Sequence, residues 1–424
     1  MYSGLFKFKM LSIIATFNKY LFKFLLILAS FLSVLFFYMV ISTKIQNNNK
    51  KVKLKELPFV TVQIPTYNEL AALRCAKQCL KFDYPKNRYE IIIGDDSNNK
   101  EISKKIDDFA RKQGIKVTRR GTNHGYKPGN LNHMLKFSKG EIIVIFDSDF
   151  IPPRNFLKEI VKPFQDEKVC AVQARWAFVN STKNLVSMLG ATIIATVHHV
   201  VLPFISKKAK MSFLCGSAEA VRKKTLLELG GWQSGSLTED IEFSLRAIKH
   251  GYKIVYLESL ECKGEVPYKP LDLYKQQMRW AYGFIKAFKE HILGIITSKK
   301  INFKEKLYTP IALSGYLLTT IVTGLIISGI LNMFINYSAT FNFGKFILEI
   351  SRNFFLSSGI ILTSIVSWTR SHKCHKHKIL HMLVASFTHG LIVMGFVMKG
   401  ITNVIFNRNM KWYMLNKEGN LTSK

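Results

Sequence analysis

Asp147 and Asp149 flank one serine, directly after the apolar run Ile142-Ile143-Val144-Ile145-Phe146. At the end of a buried strand, two carboxylates at this spacing can approach one divalent ion together. Hard carboxylate oxygens suit Mg2+ or Mn2+, which keep positions open for diphosphate oxygens and so stabilise a departing nucleoside diphosphate. The same triplet also occurs in surface turns, and the preceding strand is what singles this one out. Asp95 and Asp96 end a second apolar run, Ile91-Ile92-Ile93-Gly94. Adjacent carboxylates repel and require donors or a ligand close by. They can accept hydrogen bonds from a nucleobase and ribose, or cap a turn before the next helix. Tyr67 and Glu69 follow a third apolar run over 60–64. They offer a flat surface for a base and an acceptor.

Lys127 stands in Gly125-Tyr126-Lys127-Pro128-Gly129-Asn130, a glycine-containing turn that can meet a phosphate with backbone and side chain. The spacing is not that of a P-loop. Thr238-Glu239-Asp240 opens a predicted helix over 238–250. Thr238 suits an N-cap, and the acids favour the positive end of the helix dipole. One of the two carboxylates can also be a general base. Displacement with inversion needs a base opposite the leaving group, and Asp240 is the choice over Glu239. On a helix, Gln276 and Arg279 share a face, with Trp280 beside Gln276. Arg279 can pair with diphosphate oxygens and Trp280 can stack on an apolar ring face. Interfacial packing is the plainer use of an Arg-Trp pair.

Those residues need a scaffold, and the pattern over 57–300 supplies one. Short apolar runs at 59–64, 89–93 and 141–146 read as buried strands, with helices over about 69–81 and 100–113 between them. The alternation implies βαβ units and a mostly parallel sheet, with functional residues at the carboxyl ends of the strands. Residues 21–43 are apolar and long enough to span a bilayer. Segments near 311–335, 353–369 and 379–398 are further candidates, the last able to run on to Phe406. Residues 185–204 are also apolar but carry His198, His199 and Pro203, so a buried or interfacial helix is expected there. Three parts follow: 1–56 with one membrane helix, 57–300 as a cytosolic domain, and 301–424 with about three helices. The lysines of 44–56 argue for a cytoplasmic exit from the first helix, although Lys7, Lys9, Lys19 and Lys23 lie on its other side.

Composition adds bounds. Hydrophobic residues make up 48% of the 424, and mean hydropathy is +0.09. The 61 Lys and Arg against 28 Asp and Glu leave a net charge of +33. The excess reflects either biased composition or attraction to anionic lipid and phosphorylated substrates. No nucleic-acid-binding signature accompanies it. The six cysteines show no disulfide framework and fit reduced thiols facing the cytosol. Cys75 and Cys79 share a helix face as core residues. The segment 371–378, with His372, Cys374, His375 and His377, reads as a basic cytoplasmic loop rather than a metal site.

Eight motifs stand in order: V-Q-I-P-T-Y-N-E at 62–69, D-D-S at 95–97, G-Y-K-P-G-N at 125–130, D-S-D at 147–149, V-Q-A-R-W at 172–176, F-L-C-G-S at 213–217, T-E-D at 238–240 and Q-Q-M-R-W at 276–280. Together they resemble the processive family 2 glycosyltransferases: cellulose synthases, cellulose-synthase-like glucan and mannan synthases, and hyaluronan and chitin synthases. The resemblance covers about 57–300. It implies an α/β fold in which a GT-A (Rossmann-like) glycosyltransferase domain is inserted between α-helical transmembrane segments, with a cytosolic active site and a membrane channel. Carried over, Tyr67, Glu69, Asp95 and Asp96 hold the nucleoside, and Lys127 and Arg279 the diphosphate. Asp147 and Asp149 hold Mg2+ or Mn2+. Cys215 and Gly216 border the acceptor, and Asp240 is the base. Trp280 sits by the sugar at the channel entrance, with Glu239 and Gln276 also in the substrate site. The segment 407–412, N-R-N-M-K-W, resembles a degenerate gating loop without its usual Thr and Pro, which argues against gating by Trp412. No C-terminal cyclic-dinucleotide-binding domain is expected.

The implied activity is inverting extension of a β-linked polysaccharide, glucan or glucomannan-like, from a nucleotide sugar such as UDP-glucose. Transfer of one sugar to a lipid acceptor is the alternative. An inactive channel or scaffold is a third reading, disfavoured because all the carboxylates are present. The expected partners are the nucleotide-sugar donor, a growing glycan and the lipid membrane, with room for accessory subunits. Localisation follows: a plasma or inner membrane, or the Golgi of a eukaryote, with the catalytic domain facing the cytosol.

Overall fold

The computed structural model describes residues 2–43, 56–335, 343–372 and 377–420. Most of the lysine-rich 44–56 segment, and Cys374 and His375 of the 371–378 segment, lie outside the described residues.

Among the described residues, seven strands form one mixed sheet: β1 Val60–Thr66, β2 Tyr89–Asp95, β3 Lys116–Thr118, β4 Ile142–Ile145, β5 Val169–Phe178, β6 Glu219–Arg222 and β7 Lys253–Gly264. Their order is β3-β2-β1-β4-β6-β5-β7. β6 runs antiparallel to β4 and β5, and the other pairings are parallel. Period-two alternation sends side chains to opposite faces. Ile92, Ile143 and Ile145 enter one apolar cluster. Ile91, Ile93, Ile142 and Val144 enter the other. Both faces are therefore covered, as a parallel sheet requires. Helix Ala71–Cys79 buries Cys75 and Cys79, the expected shared face. Helix Lys100–Gln113 starts where the Asn99 side chain accepts from the Glu101 and Ile102 amides, and stops at Gly114.

Four helices among the described residues are long and apolar enough to cross a membrane: Met10–Ser42, Leu185–Ala209, Phe303–Asn332 and Ile379–Ile405. The N-terminal helix begins at Tyr2, well before the expected 21–43. Phe17, Phe24 and Phe31 recur along it every seven residues and are more than half exposed, forming an apolar stripe. Its inner face pairs with helix Ser314–Ile335, where Asn18 Nδ2 donates to Ser328 O at 3.0 Å and Ser328 Oγ to Asn18 Oδ1 at 2.7 Å. Leu185–Ala209 is mostly buried, as the His and Pro residues suggested, and a π-helical turn over Val197–Val201 interrupts it. Helix Ile379–Ile405 lies against helix Pro270–Thr297, with Gly400 facing the Met278 carbonyl. The helix carrying Gln276, Arg279 and Trp280 thus joins the sheet domain to the C-terminal helices.

Candidate active site

The carboxyl ends of β1, β2, β3 and β4 and the amino end of antiparallel β6 meet at one sheet edge. Tyr67 and Glu69 follow β1, and Asp95 ends β2. Asp147 and Asp149 follow β4, while Gly216 leads into β6. The aspartate pair receives its donors from two residues that the sequence did not single out. Arg119 donates to Asp95 Oδ2 through Nε at 2.9 Å and Nη2 at 2.8 Å. Arg120 donates to Asp96 Oδ1 through Nε at 3.1 Å and to Oδ2 through Nη2. Such forked pairs are among the strongest side-chain hydrogen bonds. Asp95 is fully enclosed behind the site, whereas Asp96 reaches the cavity wall. Burial raises the Asp96 carboxyl above its usual range, against the pull of Arg120.

The second carboxylate pair is held by two lysines. Lys127 Nζ lies 2.8 Å from Asp147 Oδ1 and 3.1 Å from Glu239 Oε1, and donates to the Gly216 carbonyl. Its segment is a helix start rather than a turn. Gly125 is left-handed at φ +70°, and helix Tyr126–Leu135 follows it. Burial opposes the charge on Lys127, but Asp147, Glu239 and Glu219 raise its pKa overall. Lys417, from the C-terminal tail, is the other cation. Its Nζ lies 2.8 Å from Asp149 Oδ1, 3.0 Å from Glu69 Oε2 and 2.9 Å from Ser148 Oγ. Burial raises Glu69. Asp149 is buried too, but Lys417 holds its pKa below the usual range.

Asp147 and Asp149 present hard oxygens, and no group of three or more His, Cys, Asp or Glu forms a metal cluster among the described residues. Two carboxylates fit a Mg2+ or Mn2+ ion that takes its remaining oxygens from diphosphate and water. The Lys417 ammonium now sits on Asp149.

Asp240 lies in the first turn of helix Glu239–Lys249, where Thr238 takes the N-cap position. Thr238 makes no capping bond, contrary to the role its type suggested: its hydroxyl is buried without a partner. The side chain instead abuts Gly283, where a Cβ would stand 2.5 Å from Thr238 Oγ1, so a residue without a side chain lets helix Pro270–Thr297 approach. Gly216 has φ +89°, and a Cβ built on it would lie 3.4 Å from Asp240 Oδ2. Glycine keeps that face of the carboxylate open. Burial, then the charge of Glu239, push Asp240 up to about 7. Glu219, also missed in the sequence, accepts from the Gly216 amide at 2.9 Å. Burial and Asp240 hold its carboxyl well above the usual range. The V-Q-A-R-W motif braces this loop: Gln173 accepts from the Cys215 amide at 2.7 Å, and Trp176 Nε1 donates to Ser217 O at 2.8 Å. Burial followed by Asp240 raises the Cys215 thiol, which therefore stays protonated.

Arg279 donates to the Leu237 carbonyl at 2.8 Å and lies 4.0 Å from the Trp412 ring centroid. Trp412 also stacks on Tyr126. Beyond it the tail crosses the site: Asp272 accepts from Tyr413 and Asn416, and Glu265 from the Glu418 and Gly419 amides. A cavity of about 820 Å3 gathers Tyr67, Glu69, Asp96, Lys127, Asp147, Asp149, Cys215, Gly216, Glu239, Asp240, Gln276, Arg279 and Trp280 into one wall. Asp95 stands behind that wall. The basic pair after β3 and the lysine of the tail were the readable signals for the cations that sequence reasoning missed.

Strand order and strand-edge carboxylates define a GT-A-like mixed α/β fold. The model of the Glycosyltransferase like family 2 matches residues 58–283, more than half of the sequence, and the chain belongs to that family. Probable glucomannan 4-beta-mannosyltransferase 10 of Arabidopsis thaliana is 32% identical over 264 residues, which cover 59% of this chain and 47% of that protein. Probable glucomannan 4-beta-mannosyltransferase 7 of Oryza sativa subsp. japonica is 32% identical over 266 residues, 60% of this chain and 45% of that protein. The chain spans about half the length of the curated relatives it matches. Among solved structures, the mannosyltransferase PcManGT from Pyrobaculum calidifontis in complex with GDP-Man and Mn2+ aligns with a TM-score of 0.65 at 17% identity. The alignment covers 92% of this chain and 100% of that one.

Proposed function

We propose that the protein transfers a hexose, with inversion, from a nucleoside diphosphate hexose to a glycan hydroxyl, extending a β-linked glucan- or mannan-type chain at a membrane face. The observation that carries this reading is a buried Asp240 on the same cavity wall as Lys127, Asp147 and Arg279. In this reading Asp240 takes the proton of the acceptor hydroxyl as that oxygen attacks the sugar. Lys127 and Arg279 offset charge on the leaving diphosphate. Asp147 and Asp149 would hold a divalent cation, which would supply further neutralisation of that charge. Tyr67 and Asp96 form the nucleoside end, and Trp280 supports the sugar ring. The names of the mannosyltransferase relatives, and the GDP-Man in the archaeal neighbour, place GDP-mannose beside UDP-glucose as donors to test. The apolar helices and the lysines of 44–56 support a membrane protein with its catalytic domain in the cytosol.

The test is incorporation of labelled hexose from a panel of nucleotide sugars with Mg2+ and Mn2+, using wild type and Asp240→Asn. Loss of a general base lowers kcat by roughly 10²–10⁴-fold, with donor affinity retained. Full turnover by Asp240→Asn would sink the assignment.

A further inference from the structure

Glu219 opens β6 in the middle of the sheet, opposite Ile145 of β4 and Gln173 of β5, and is 1% exposed. A carboxyl at such a place is costly to ionise unless a cation pairs with it. Its Oε2 accepts from the Gly216 amide at 2.9 Å. Among the described residues, no lysine, arginine or histidine forms an ion pair with it; Lys127 pairs with Asp147 and Glu239 instead. The groups that face Glu219 are Asp240 and Glu239 on helix Glu239–Lys249, Lys127 on helix Tyr126–Leu135 and the Cys215 thiol of its own loop. Asp240 is faced in addition by Arg279 on helix Pro270–Thr297 and by Tyr316 on helix Ser314–Ile335. With Asp147 set aside for the proposed divalent cation, Glu219, Glu239 and Asp240 share Lys127 and Arg279. Three carboxyls beside two cations in a buried space favour a proton kept on one of them. Geometry says which. Glu239 is ion-paired with Lys127 at 3.1 Å. Asp240 lies on the cavity wall, within reach of an acceptor hydroxyl. Glu219 lies behind that wall with the Gly216 amide as its donor. The loop it holds is a strained one. Gly216 has φ +89° and Ala218 φ +51°, a conformation that costs a residue with a Cβ and needs outside support. A Cβ on Gly216 would lie 3.4 Å from Asp240 Oδ2 and 3.5 Å from Lys127 Nζ, so this backbone borders both the proposed base and the lysine.

We propose that Glu219 is a positioning residue for the transfer: it stays un-ionised, which leaves Asp240 to carry the charge that accepts a proton, and through the Gly216 amide it fixes the backbone between Asp240 and Lys127. The inference rests on the reading of Asp240 as the base and adds a residue outside the cavity on which that base depends. The proton of Glu219 takes no part in the transfer; the proton of the acceptor hydroxyl ends on Asp240.

The test compares Glu219→Gln with Glu219→Ala in the full-length protein in nanodiscs, with GDP-mannose or UDP-glucose as donor, Mn2+ and a β-linked hexose oligosaccharide as acceptor. Gln is neutral and still offers the Gly216 amide an acceptor. It should keep kcat within about threefold of wild type and leave the acid limb of kcat/KM at about 7. Ala removes the acceptor, so kcat should fall roughly 10–100-fold while the donor KM stays within about threefold. Glu239→Gln removes a charged neighbour of Asp240 and should move the acid limb down by about one unit. Infrared spectra of wild type at pH 8 should contain the carbonyl stretch of an un-ionised carboxylic acid that Glu219→Gln lacks. Should Glu219→Ala melt before assay, the Gln profile and the infrared band still decide. An acid limb moved to lower pH by Glu219→Gln, wild-type kcat in Glu219→Ala, or an infrared band unchanged by Glu219→Gln would overturn the proposal. A flat wild-type profile together with full turnover by Asp240→Asn would count against the Asp240 reading instead, and the infrared band would then judge the proton on Glu219 by itself.

Discussion

Asp240 must be ionised to accept a proton, yet it is buried beside Glu239 and close to Glu219, and both effects favour the protonated form. Lys127 supplies the opposing charge and, through Asp147, joins the proposed base to the proposed diphosphate end. A consequence follows for pH. The carboxyl is raised to about 7, and in the proposed mechanism its charged form is the active one. The kcat/KM of wild type should therefore fall as pH drops through about 7, approaching tenfold per unit on the acid side. A profile flat from pH 5 to 8 would contradict the assignment of Asp240. At this scale the acids were legible because each follows an apolar run. Their partners were less so. The paired Asp95 and Asp96 announced a need for donors, but Arg119 and Arg120 follow a strand of only three residues, Lys116–Thr118, which has too little apolar pattern to read.

The C-terminal tail is the element whose position the sequence hid. Its residues 411–420 have no periodic pattern, and only Trp412 drew notice, as part of a degenerate loop. In the fold, Asp272 and Glu265 fix the tail at separate points, and Lys417 enters the carboxylates of the proposed metal site. An ammonium bonded to Asp149 and a divalent cation compete for the same oxygen. Lys417→Met should thus tighten Mn2+ binding in the absence of donor by several-fold, read by the loss of the free-ion electron paramagnetic resonance signal. Unchanged or weaker Mn2+ binding would show that Lys417 is not a competitor. The helix ends give the opposite lesson. Asn99 and Gly114 bound their helix with side-chain types that perform those tasks almost anywhere, whereas Thr238 occupies a cap position and leaves its hydroxyl unused against Gly283. Tertiary packing decided that contact.

At the scale of the whole molecule, alternating strands and helices foretold a mostly parallel sheet, and length with hydropathy foretold three of the four membrane-length helices. The fourth is Leu185–Ala209, while the expected 353–369 lies in helix Phe343–Ser371, which is not one of the four. Two features escaped. Antiparallel β6 has only four residues, and nothing in a four-residue strand states its direction. Its reversal nonetheless brings Gly216 to the edge where Asp147 lies. The cavity that links the sheet edge to the C-terminal helices comes from residues more than a hundred positions apart, which no local pattern reports. Gly400 against Met278 and Gly283 against Thr238 show how closely the connecting helix must pack for the two regions to share one space.

Direct displacement at the anomeric carbon with Asp240 as base dictates the configuration of the product, so that configuration is the measurement to make. Reconstituted protein is supplied with an α-linked nucleoside diphosphate hexose, Mn2+ and an acceptor glycoside, and the new linkage is assigned by nuclear magnetic resonance for wild type and Asp240→Asn. Wild type should form a β linkage, and Asp240→Asn should form product below about one hundredth of that level. An α linkage, or β product formed by Asp240→Asn at the wild-type rate, would contradict it.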